Sequence, residues 1–76
     1  MPIISVKVLE GVFDQSQLEA MVDEFTNAMC RVAGEGIRPG THVTIEEVRS
    51  GLWGDGGNKL RTDEVLARRA ARNKAT

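Results

Sequence analysis

Pro2, directly after Met1, is the residue of this chain with the most distinctive chemical capacity. Removal of a methionine that precedes so small a residue leaves proline as the amino terminus. A terminal proline carries a secondary amine where an internal one has an amide nitrogen, and only the amine is a base. Here it would open an apolar alternating run, Ile3-Ile4-Ser5-Val6-Lys7-Val8-Leu9. Apolar surroundings disfavour the protonated amine and bring its pKa toward neutrality, where a general base works best. With Met1 retained the same nitrogen is an ordinary amide, and proline is also tolerated as the first residue of a strand.

Few other residues offer chemistry of their own. His42 is the single histidine and Cys30 the single cysteine. With no CxxC pair and no His/Cys cluster, neither an internal disulfide nor a structural metal is expected, and no cofactor is implied. The stretch from Gly51 to Gly57 sets Trp53 and Asp55 among four glycines. It matches neither GxGxxG nor GxxxxGK[ST], so it does not read as a phosphate loop. It suits a tight hairpin or a close backbone approach. Trp53 is then either packing or the wall of a pocket. Asp55, next to Gly56, is either a turn residue or a carboxylate able to orient water.

Three kinds of element must position these residues. Residues 3–9 alternate as a strand, with Ile4, Val6 and Val8 on one side and Ile3, Ser5, Lys7 and Leu9 on the other. Gly11 closes it. Asp14 with Gln17 reads as a capping box, with Ser16 a competing cap. Leu18, Met21, Val22, Phe25, Ala28, Met29 and Val32 then recur as one apolar helical stripe. Gly34 and Gly36 end the helix, and Arg38-Pro39-Gly40 turns the chain. A second strand, about 41–48, sets Val43 and Ile45 on one face and His42, Thr44 and Glu46 on the other. Strand, helix, strand at these lengths predicts a βαβ unit with parallel strands and a right-handed crossover. A hairpin follows, then a tail helix capped by Thr62-Asp63-Glu64. Its Arg68, Arg69, Arg72 and Lys74 complement the helix dipole and read as a solvated face. The whole, 1–76, is expected to form a single α/β domain with 62–76 as helical tail.

Pro2-Ile3-Ile4, the Leu9-Glu10-Gly11 turn, the helix, the second strand and Leu52-Trp53-Gly54-Asp55-Gly56-Gly57 together resemble the 4-oxalocrotonate tautomerase family. The resemblance implies an isomerase in which the terminal proline shuttles a proton on an enol or 2-oxo acid. It implies arginines that bind the substrate carboxylate, one of them from a neighbouring subunit, and an aromatic wall that keeps the proline dry. It also implies a hexamer, a trimer of dimers in which strands of two chains pair into a four-stranded sheet. Carried onto this chain, Pro2 matches the base and Trp53 the aromatic wall. Val12 stands where the first arginine follows the Glu-Gly turn, and His42 aligns with the second. A carboxylate in a dry pocket needs a fixed positive partner. Valine supplies none, and a histidine does so only when protonated. Arg38, Arg49, Lys7 and Arg61 are alternative cations.

Asp55 suggests another chemistry. The resembling trans-3-chloroacrylic acid dehalogenases place a water-activating glutamate at about this spot in one of their two chains, so a hydratase or dehalogenase using Asp55 is one alternative. A half-catalytic or non-catalytic subunit of a mixed hexamer, its arginines supplied by a homologous chain, is another. The substrate site is thus expected to comprise Pro2, His42, Trp53 and Asp55. Expected partners are a small enol or 2-oxo carboxylic acid and further copies of this chain or a homologue. A net charge of −1 gives no general drive toward nucleic acid or membrane. The chain shows neither an apolar run of membrane-spanning length nor a signal-peptide pattern, so a cytoplasmic location is expected.

Overall fold

The computed structural model of the chain describes residues 1–75. Strand β1 runs Ile3–Leu9, helix α1 Gln15–Ala33, strand β2 His42–Val48, strands β3 and β4 Trp53–Asp55 and Asn58–Leu60, and helix α2 Thr62–Ala75. Thr76, the end of the expected tail, and the side chain of Lys74 lie outside the described residues. Contacts group the chain into two units, Met1–Lys7 with Phe13–Glu46, and Val8–Val12 with the chain from Glu47 onward.

β1 and β2 pair with each other. At one end the His42 N–H donates to the Pro2 carbonyl at 3.0 Å, and at the other the Glu10 N–H donates to the Val48 carbonyl at 2.8 Å. Start meets start and end meets end, so the pair is parallel, as the βαβ reading expects. The alternation holds in β1 as far as Val8: Ile4, Val6 and Val8 are half-buried, while Ile3, Ser5 and Lys7 are exposed; Leu9, of the same parity as Lys7, is buried. In β2, Val43 and Ile45 are half-buried and His42, Thr44 and Glu46 exposed.

The start of α1 is local chemistry. Asp14 is the N-cap, and its carboxylate accepts the Gln17 N–H at 2.8 Å while the Gln17 side chain accepts the Asp14 N–H at 2.9 Å. Both halves of the capping box are made. Ser16 is not a rival cap; its hydroxyl donates to the same Asp14 oxygen at 2.7 Å. At the other end the Gly34 N–H closes on the Cys30 carbonyl at 2.7 Å. The segment read as a simple turn is a 3₁₀ helix, Glu35–Gly40, that packs on α1. Arg38 ties it there, donating to Asn27 at 2.9 Å. Cys30 is 5% exposed, while Val32, at the end of the expected stripe, is 87% exposed.

In the second unit, β3 and β4 form an antiparallel hairpin in which Trp53 faces Leu60 and Asp55 faces Asn58. The loop is Gly56-Gly57, both at positive φ (59° and 87°), the two-residue turn whose twist matches its strands. Helix α2 starts one residue earlier than a Thr62 cap would require. The Arg61 carbonyl accepts the Val65 N–H at 3.0 Å, and the Thr62 hydroxyl instead donates to the Glu10 carbonyl. Gly11 sits under that contact at φ 81°, where a Cβ would come within 3.0 Å of the Thr62 methyl.

The cap makes folding pH-dependent in a defined direction. The Ser16 hydroxyl, then the Gln17 N–H, hold the Asp14 carboxyl below its ordinary value. A depressed folded-state pKa means stabilisation that is present above the unfolded pKa and lost as pH falls through the folded one. Asp14→Asn keeps a good cap without the charge. Wild type should therefore have the higher urea midpoint at neutral pH, with the gap closing in acid; a gap that persists below the carboxylate range would show that the Asp14 charge is not its source.

Candidate active site

Pro2 sits half-buried at the open end of β1. Its carbonyl is held by the His42 N–H, so the backbone at the amine is fixed by the strand pairing itself. Met1 is 90% exposed. Its sulfur lies against Gly40, where a Cβ would come within 2.7 Å. His42 is thus brought beside Pro2 through the backbone. Its side chain, by the alternation of β2, lies on the exposed parity with Thr44 and Glu46, whereas Pro2 continues the half-buried parity of Ile4 and Val6.

Trp53 and Asp55 belong to the other unit. Two positions apart in β3, they share one face of the hairpin, Trp53 half-buried and Asp55 exposed. Asp55 is the last strand residue before the loop and is not itself one of the two loop residues. The structure therefore brings Pro2 to His42 and Trp53 to Asp55, as two separate pairs.

The alternative cations divide clearly. Arg38 is committed to Glu35 through two contacts of 2.9 and 3.1 Å and to Asn27. Its hydrogen bond and charge hold the Glu35 carboxyl below its ordinary value, and Glu35 in turn raises the guanidinium. Lys7, Arg49 and Arg61 are exposed. The cation that sequence reasoning passed over is Arg69. Far from lying on a solvated face, it is half-buried, and its Nη1 donates to the Val12 carbonyl at 3.0 Å. Helical spacing held a sign of it: Thr62, Val65 and Arg69 recur on one face of α2, and all three are half-buried.

The chain matches the family described as Tautomerase enzyme over residues 2–63. It is 46% identical over 57 residues to the probable tautomerase SH1546 of Staphylococcus haemolyticus, covering 75% of this chain and 89% of that one. It is 44% identical over 57 residues to the probable tautomerase SERP0934 of Staphylococcus epidermidis, covering 75% and 90%. Among solved structures it is similar to SAR1376 of methicillin-resistant Staphylococcus aureus, described as "a putative 4-oxalocrotonate tautomerase". The TM-score is 0.66 at 38% identity, over 76% of this chain and 90% of the other.

The exposure of Met1 makes a simple expectation. Loss of an exposed terminal residue that the strand pairing does not use should shift the melting temperature by no more than about 3 °C. Chains with and without Met1, separated by mass and melted side by side, check this; a larger loss would mean that the Met1 side chain over Gly40 holds the strand end in place.

Proposed function

The chain belongs to the tautomerase family, and we propose that it moves a proton on an enol or 2-oxo carboxylic acid, with Pro2 as general base and then general acid. The observation that carries this reading is the setting of Pro2. It begins the region that matches the family, and its carbonyl is pinned to β2 while its nitrogen lies at the strand's end. With Met1 removed, that nitrogen is an amine held in place by the fold. The amine takes the enol hydroxyl proton as the oxygen lone pair forms C=O. The C=C electron pair then takes a proton from the ammonium at carbon. Nothing is oxidised or reduced, and the proline ends as it began. Trp53 supplies an apolar wall that limits water, and His42 and Asp55 are the polar side chains assigned to substrate contact.

Assembly belongs to the same proposal. Among the described residues only Leu9 and Cys30 are buried. Ile3 is 71% exposed, on the sheet face that carries Ser5 and Lys7. Along α1 an open groove of about 310 Å³ is lined by Phe13, Ala20, Met21 and Phe25 among its residues. Apolar surface of this extent, with a two-stranded sheet that is marginal alone, is suited to burial against further copies of the chain. A homohexamer built of dimers is the assembly proposed.

Two measurements test these statements. Pro2→Ala should lower kcat/KM on phenylenolpyruvate by at least about 10²-fold, the scale of a positioned general base. Full activity in that variant, or in protein that wholly retains Met1, would remove Pro2 from the mechanism. Light scattering at micromolar concentration should give a hexamer for wild type and a smaller species for Phe25→Glu, whereas a stable wild-type monomer would end the assembly proposal.

A further inference from the structure

The hairpin that carries Trp53 has little apolar cover. Its strands are three residues each, and of residues 53–60 only Trp53 and Leu60 are half-buried, the others being exposed. A two-stranded hairpin of this kind is marginal on its own. What fixes it lies at its root. The Gly51 N–H donates to the Leu60 carbonyl at 2.8 Å, closing the hairpin below the Trp53–Leu60 pair. Just outside that bond stands Thr62. Its N–H donates to Ser50 Oγ at 3.0 Å, and its hydroxyl donates to the Glu10 carbonyl. The Glu10 N–H in turn donates to the Val48 carbonyl at 2.8 Å, and Val48 leads through Arg49 back to Ser50. These bonds form a closed ring. All its members belong to one unit of the chain. The end of β2, the turn after β1 and both legs of the hairpin meet in it at a single threonine.

We propose that Thr62 is a positioning residue for Trp53: it latches the root of the hairpin to the turn after β1, and through that latch sets where the indole stands. This rests on the tautomerase reading above for the part that the Trp53 wall plays in the reaction. As the first residue of α2, Thr62 has an N–H with no partner inside the helix. Ser50, twelve residues earlier, supplies one. The hydroxyl is under no such demand and could serve the helix start, as threonines often do. It reaches instead to Glu10. Gly11 allows this, since at φ 81° a Cβ there would come within 3.0 Å of the Thr62 methyl. The helix behind Thr62 is held as well, because Arg69 donates to the Val12 carbonyl on the other flank of the same turn. Thr62, Val65 and Arg69 are half-buried on one face of α2, so the threonine cannot swing away without undocking that face. Helix α1, capped locally by Asp14 and Gln17, takes no part in the ring.

Thr62→Val keeps the shape and the methyl and removes the hydroxyl. Amide hydrogen exchange then separates a loosened latch from a weaker fold. Protection of the Gly51 amide should fall about 5-fold, the scale of one hydrogen bond, while that of the Leu18 amide, bonded to the Asp14 carbonyl in α1, stays as it was. Thr62→Ser retains the hydroxyl and should restore the protection. Equal losses at Gly51 and Leu18, no loss at Gly51, or a loss that Thr62→Ser does not repair each overturn the latch. The catalytic consequence is measured on phenylenolpyruvate. There kcat/KM should fall about 5-fold in Thr62→Val, yet the same change should cost nothing further in a Trp53→Ala chain, because a residue that acts through the indole has no effect once the indole is gone. An unchanged kcat/KM in Thr62→Val, or a full additional loss in the Trp53→Ala background, overturns the positioning role. Failure of the premise reads differently: a wild type inactive on phenylenolpyruvate, or indifferent to Pro2→Ala, removes the tautomerase reading and with it the part of Thr62 in catalysis, while the exchange result still decides the latch.

Discussion

Parallel pairing of β1 with β2 is the constraint from which the other features follow. Parallel neighbours cannot be joined by a tight turn, so the chain must cross over through a segment of a dozen or more residues. That segment is α1, started by the Asp14–Gln17 box and stopped at Gly34. The same pairing fixes both ends of β1. The His42 N–H holds Pro2 at the first, and the Val48 carbonyl holds Glu10 at the second.

A pair of seven-residue strands and one long helix cannot close a core of their own. The described residues show it directly, with Leu9 and Cys30 alone below a tenth exposed and apolar side chains such as Ile3 open to water. Small domains without disulfides or metals commonly remedy this by association.

Charge is handled with equal economy. Arg38 faces Glu35 and Asn27 and serves to fasten the 3₁₀ segment to α1. Arg69 donates to the Val12 carbonyl and serves to fasten α2 to the turn after β1. The two arginines fasten different elements because of the partner each has, and that difference is invisible in their residue type.

Much of the local structure was legible in the chain. Period-two alternation marked 3–9 and the second strand, because only one side of a half-covered sheet loses water. The Asp14–Gln17 spacing marked the start of α1, since the orphan N–H groups of a first turn are satisfied within three residues. Glycines at 51–57 marked the hairpin, whose loop needs positive φ at Gly56 and Gly57. What tertiary structure decided lies between residues far apart in sequence. Val32, at the end of the expected stripe, stands in water, while Cys30, off that stripe, is buried. Thr62, read as a cap, was drawn to Glu10, and Arg69, read as solvated, to Val12; these pairs are 52 and 57 residues apart. Hydrogen bonds that close within one helical turn or one loop leave a spacing in the sequence. Those that close only once β1, the hairpin and α2 have been placed leave none, and so the chain alone determined the elements and the candidate base, while the fold chose the partners of Thr62 and Arg69.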